Sequence, residues 1–89
     1  MDPLQDKLIK LKLVLDETVT FPSEYLFKFI VPVGEVHQIL FQLQGMEIEQ
    51  RASSNGNYIS VSGKMMMKSS DDIILVYQRA AVIKGIISL

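Results

Sequence analysis

The chain has 89 residues, 48% of them hydrophobic, with nine basic and ten acidic side chains and a formal net charge of −1. That is enough apolar material for one core and one domain, and it lacks the broad positive field that a phosphate backbone selects. The absence of cysteine removes disulfides, thiolate catalysis and cysteine-type zinc sites together, and fits a reducing compartment.

Asp2 and Asp6 stand where a secretory leader would be basic. No stretch approaches the roughly 20 apolar residues of a membrane span. A soluble, cytoplasmic protein with no membrane partner is expected. Asp2-Pro3 is a helix start, because Asp caps free amides and Pro at the first helical position forfeits no hydrogen bond. Leu4, Leu8, Leu11 and Leu15 then recur at helical period, so the pattern predicts an amphipathic helix from Pro3 to Asp16. Lys-Leu-Lys-Leu also alternates, which leaves a short strand over Lys10–Leu15 as the competing reading. Residues 1–20 are read as this helix and its connector, and residues 21–89 as the main domain.

Phe21-Pro22 fixes the connector, with Phe21 at the edge of the core. Tyr25–Val31 is apolar on both faces apart from Lys28, the pattern of a central strand, and Pro32-Val33-Gly34 ends it. Val36, Ile39, Leu40 and Leu43 have helical spacing, and Gly45 stops that helix. Met46–Ala52 alternates as a half-exposed edge strand, with Glu47, Glu49 and Arg51 on one face. Asn55-Gly56 predicts a hairpin turn, since both residues tolerate positive φ. Tyr58–Met67 alternates again, with Ile59, Val61, Met65 and Met67 inward and Tyr58, Ser60, Ser62, Lys64 and Met66 outward. Ser69 and Asp72 form a capping box, and Ile73, Val76, Tyr77 and Ala80 give the stripe of a further helix. Gly85 marks a turn before a last strand over Ile86–Leu89.

The order is therefore a helix followed by β-α-β-β-α-β, an α+β, ferredoxin-like two-layer sandwich. Right-handed crossovers put both main helices on one face of an antiparallel sheet of order 4-1-3-2. The other face is left open.

The Phe21-Pro22 pair, the strand Tyr25–Val31, the run Ser53–Ser62 and the closing Gly85-Ile86-Ile87 resemble the YbeD-like family of small bacterial proteins of unassigned function. The resemblance covers residues 13 to 89. It implies a ferredoxin-like fold similar to the amino-acid-sensing ACT regulatory domains, and no assigned catalytic residue. The longer N-terminal helix and the extra Val31-Pro32-Val33-Gly34 at the end of the first strand depart from the family pattern.

Candidate sites follow from the residues. His37 is the only histidine, lies off its helix stripe and reads as a solvated helix residue. Glu47 and Glu49 lack calcium-loop spacing and read as a solvated edge. Three adjacent methionines, Met65 to Met67, alternate across a strand and cannot converge on one ion. Neither a cofactor nor a metal is expected. Val33, Gly34 and Glu35 open a helix, where main-chain amides attract an anion. In ACT-type domains the matching loop holds a small ligand at a subunit interface.

The open face would carry Leu26, Lys28 and Ile30 beside Tyr58, Ser60 and Lys64, without the pair of stacking rings that RNA recognition uses on this topology. This surface, with Leu4, Leu8 and Leu11 of the first helix, is the expected contact for a protein partner or a second copy in a homodimer, and the helix itself is a candidate cover for the face. The expectation is a non-enzymatic regulatory or adaptor module, the alternative an ACT-like sensor of an amino acid or other small anion. Nucleic acid is not an expected partner.

Overall fold

The structure is a computed structural model, and it describes residues 2–89. Helix α1 spans Pro3–Thr18, with the Asp2 carboxylate accepting the Leu4 N–H at 3.0 Å and Pro3 at the first helical position. The helical period of the leucines prevails over the Lys-Leu alternation, and the helix runs two residues past the expected Asp16. Strand β1 covers Ser23–Pro32 after a cis Phe21-Pro22 peptide. A single 3-10 turn, Val33–Glu35, leads into helix α2, Val36–Gln42. Strands β2, Glu47–Ala52, and β3, Tyr58–Met67, form a hairpin. Helix α3, Ser70–Ala80, and the short strand β4, Ile87–Ser88, complete the chain.

The sheet order is β2-β3-β1-β4 with every pairing antiparallel, which is the expected ferredoxin-like topology. β1 pairs with β3 over its whole length, from Ser23↔Met67 to Pro32↔Tyr58. Strand alternation sends Phe27, Phe29 and Val31 inward, and all three are fully buried with Ile39 and Leu43 of the α2 segment, Val61 of β3 and Ile73 of α3. Burying each such side chain contributes about 1.5–3 kcal/mol. Tyr77 of α3 stands edge-on to Phe27 and Phe29, with ring centroids 5.4 and 5.8 Å away, and this seats α3 over β1.

Three local features depart from the expectation. The hairpin loop keeps Asn55 at negative φ, and only Gly56 turns positive, at 76°. Asn55 instead works through its side chain, whose Oδ1 accepts from Ser53 Oγ and from the Asn57 N–H, while Gly56 N–H closes a turn on Ser53 C=O. Met65 shares the inward side of β3 but remains 40% exposed. Gly63, which the alternation leaves as a gap in the inward row, sits where an added Cβ would lie 2.9 Å from Met46 Sδ and 3.2 Å from Leu43 Cδ1. The neighbouring strand and helix fill the space that its side chain would need.

The larger correction concerns α1, which does not cover the open sheet face. It lies in the helix layer, on the flank of α3, with Leu8 and Leu15 in the same core as Phe27 and Ile73. Leu8 is 7% exposed, so most of its surface packs on the chain's own interior and only a small part reaches the flank.

Gly85 governs how the chain enters β4. Its φ is +75°, and an added Cβ would come within 2.8 Å of Pro32 Cγ. Gly85→Ala is expected to cost about 1–3 kcal/mol from left-handed strain and overpacking. Gly34→Ala, whose Cβ meets nothing within 4 Å, is expected to be neutral or slightly stabilising, by up to about 1 kcal/mol. Urea unfolding checks both as shifts of the midpoint at constant slope.

Candidate functional site

Three surfaces hold the residues that the sequence singled out. The first is the turn between β1 and α2. Val33 is half exposed and Gly34 faces open space, but the Val33 N–H is already spent on the Asn57 C=O at 3.0 Å. The Glu35 carboxylate accepts from Gln38 Nε2 across the start of α2. It places a negative charge where an anionic ligand would sit, and no side chain caps this helix start.

The second surface is the open sheet face, which β-sheet register assembles as expected. Leu26 stands opposite Lys64, Lys28 opposite Ser62, Ile30 opposite Ser60, and Tyr58 at the end opposite Pro32. The face is wider than those residues. β2 adds Glu47, Glu49 and Arg51 opposite Lys64, Ser62 and Ser60, and β4 adds Ile87 opposite Ile30. Lys64 Nζ lies 3.9 Å from Glu24 and 3.8 Å from Glu47, so the glutamate row that alternation marked as solvated already has a cation of its own. Such exposed pairs contribute at most about 1 kcal/mol each. Among the described residues no group of three His, Cys, Asp or Glu could hold a metal ion. His37 is exposed on α2.

The third surface is the flank where α1 meets α3 and the end of the sheet. Here Leu4 and Leu11, expected on a partner surface, line a groove of about 640 Å³ together with Tyr25 and Tyr77. The two tyrosine hydroxyls lie 2.9 Å apart and share a hydrogen bond. Burial, and then the bond to Tyr25, push the Tyr77 phenol well above its ordinary value, so it stays protonated. Sequence periodicity had placed Tyr77 in the core stripe and Tyr25 in the strand. It contained no signal that the two would meet, because they are 52 residues apart.

At the other end of the same flank a polar cluster fixes α1. Lys12 Nζ bonds Ser70 Oγ at 3.0 Å and pairs with Asp16 at 3.2 Å and Asp71 at 3.0 Å, while Ser70 Oγ donates to Asp16. Ser70 is 3% exposed, a polar residue buried in the fold, and α1 supplies its partners. The Ser70 hydroxyl, and then Lys12, hold the Asp16 carboxyl below its ordinary value of 3.8. Asp71, and then Asp16, raise Lys12 above 10.5. None of the four was legible as a site, since each reads alone as a surface helix residue or a helix start.

With this architecture the chain falls in the class of small ferredoxin-like α+β proteins with an added helix on the flank of the helix layer. The family described as "Protein of unknown function (DUF493)" matches residues 16–87, and the chain belongs to it. No curated protein and no solved structure matches the chain. Among the described residues no helix is long and apolar enough to cross a membrane.

The polar cluster generates a pH signature. A carboxyl with a depressed folded value stabilises the fold above its unfolded value, and that contribution is lost as pH falls through the folded value. Lys12 behaves oppositely, contributing below 10.5 and losing its contribution as pH rises past its raised folded value. Ser70→Ala is expected to lower stability by about 1–3 kcal/mol at neutral pH, because it removes a buried donor and acceptor at once. The deficit relative to the parent should narrow as pH falls below 3.8, as Asp16 protonates in both proteins. Thermal melts of parent and variant across that range check both parts.

Proposed function

We propose that this chain is a non-enzymatic regulatory or adaptor module acting through protein–protein contacts, a YbeD-like member of its family working in the bacterial cytoplasm. The observation that carries the reading is the uncovered sheet face. Leu26, Met66, Ile87 and Tyr58 are 57%, 59%, 50% and 43% exposed there, and among the described residues no element lies over them. Around them Lys28, Lys64, Glu24, Glu47, Glu49 and Arg51 alternate in sign. Exposed apolar side chains interspersed with charges of both signs match a protein surface better than a phosphate backbone, which selects one sign of charge.

Other features agree with a binding role. The side chains whose titration is perturbed, Lys12, Asp16 and Tyr77, are each tied to a structural partner. The resemblance of Ser53–Ser62 to YbeD-like proteins adds a scaffold used without assigned catalysis. The ACT-like sensor reading at Val33–Glu35 has weaker support, since the Glu35 carboxylate repels the anion that the loop would have to hold.

A photo-crosslinking amino acid at Leu26, in cells, is expected to capture one defined partner protein or a second copy of the chain, and the same probe at Gln78 on the outer side of α3 should capture neither. Equal capture at both positions, or a strict monomer by ultracentrifugation with no product from Leu26, would contradict the proposal. An amino acid that stabilised the protein by about 2.7 kcal/mol at a hundredfold excess over its Kd would move the assignment to the sensor.

A further inference from the structure

The sheet is incomplete along one edge. β1 is paired with β3 over ten residues, but β4 reaches only Phe29 and Ile30, with one further bond from the Leu89 N–H to the Lys28 C=O at 2.9 Å. Main-chain groups of a strand point alternately to its two sides. The Lys28 carbonyl faces the β4 side, so Leu26 and Glu24, at the same parity in an unbroken register, face that side too. Among the described residues no strand stands beside them. The Glu24 C=O has only a long 3.4 Å bond from the neighbouring Ser23 hydroxyl.

The helix layer is not incomplete in the same way. α1 extends it past β1, and Leu4, Leu8 and Leu11 face the groove of about 640 Å³ on this flank. Tyr77, 8% exposed, reaches the groove from below. Its hydroxyl and that of Tyr25 carry two protons and share one bond, which leaves one O–H unspent. Lys7 is the one charged side chain among the lining residues, and it makes no ion pair among the described residues.

We infer that the free edge Ser23–Phe27 and the adjoining groove bind an extended peptide of another protein as an added strand in the lane of β4. Such a segment supplies donors and acceptors at strand spacing for Glu24 and Leu26. Its alternate apolar side chains pack on Leu4, Leu8 and Leu11, and one carboxylate answers Lys7. A small apolar acid fits the groove but leaves the edge unpaired.

A second copy pairing β1 with β1 does not fit. Adjacent strands are about 4.8 Å apart, and each α3 is seated over its own β1 through Tyr77. A two-fold axis at this edge would bring the two α3 helices far inside the 8–10 Å that packed helices need. Leu4, Leu8 and Leu11 also lie outside residues 16–87, so the groove wall is a feature of this chain beyond the family match. The inference rests on the protein-contact reading but assigns a different surface from the open face.

The test selects randomised eight-residue linear peptides against the 89-residue chain and titrates the recovered peptide into isotope-labelled protein. Enriched sequences should alternate apolar residues and carry a carboxylate. The largest amide shifts should fall on Glu24, Leu26 and the Leu4–Leu11 turn, and the Kd should rise about tenfold, or 1.4 kcal/mol, in both Leu26→Pro and Lys7→Glu. Leu26→Pro is expected to fold, because proline is tolerated where the replaced N–H is an unpaired edge group, and Lys7→Glu changes only an exposed residue.

No enrichment would overturn the inference, as would shifts confined to the groove with Glu24 and Leu26 unmoved. Peptides that shift Lys28, Ser60 and Lys64 instead would overturn it while leaving the adaptor reading in place. A peptide-free dimer dispersed by Lys7→Glu would overturn it in favour of a second copy.

Discussion

The pairing of β1 with β3 is the constraint on which the rest of the structure depends. It fixes the parity of β1, and parity decides everything at right angles to the strand. Phe27, Phe29 and Val31 go to the interior and seat α2 and α3, while Leu26, Lys28 and Ile30 go to the open face. The same parity decides what happens along the edges. The main-chain groups that do not face β3 face the lane of β4, where only part of the strand is met. A slip of one residue would exchange Phe27 for Lys28 in the core and cost the burial of two phenylalanines against the burial of a charge.

The second level of organisation is a polar tie on an apolar frame. The leucine stripe of α1 supplies adhesion but little direction, since an apolar stripe packs on any apolar surface. Direction comes from Ser70, a buried hydroxyl at the start of α3 that Lys12 and Asp16 satisfy from α1. Leaving that hydroxyl buried without partners would be costly, so the tie selects one docking among several with similar apolar area. The result is a three-helix layer over a sheet that does not fully underlie it.

These facts explain what the sequence could and could not reveal. Tyr25–Val31, the alternation of Tyr58–Met67 and the Ser69 cap are local signals, each set by neighbours within a few residues, and all three elements and their order were readable. The site of α1 was not. Its stripe says that one face is buried, and the open sheet face and the flank of α3 are equally good answers until residues 12 and 70 are brought together in space. The Asn55-Gly56 signal gave the right loop with the wrong conformation, because the side chain of Asn55 offered a better use than its tolerance of positive φ. On the functional side the open face was legible as a set of outward residues. The groove was not, since its walls come from both ends of the chain and its edge is defined by the strand that is missing beside Leu26.

Amide hydrogen exchange along β1 tests this account most directly, because it reads parity residue by residue. The account predicts slow exchange at Tyr25, Phe27, Phe29 and Val31, which face β3, and at Ile30, which faces β4, with fast exchange at Glu24 and Leu26. Protection at Leu26 equal to that at Phe27 in the isolated protein would contradict it, showing an edge already closed and a groove already filled.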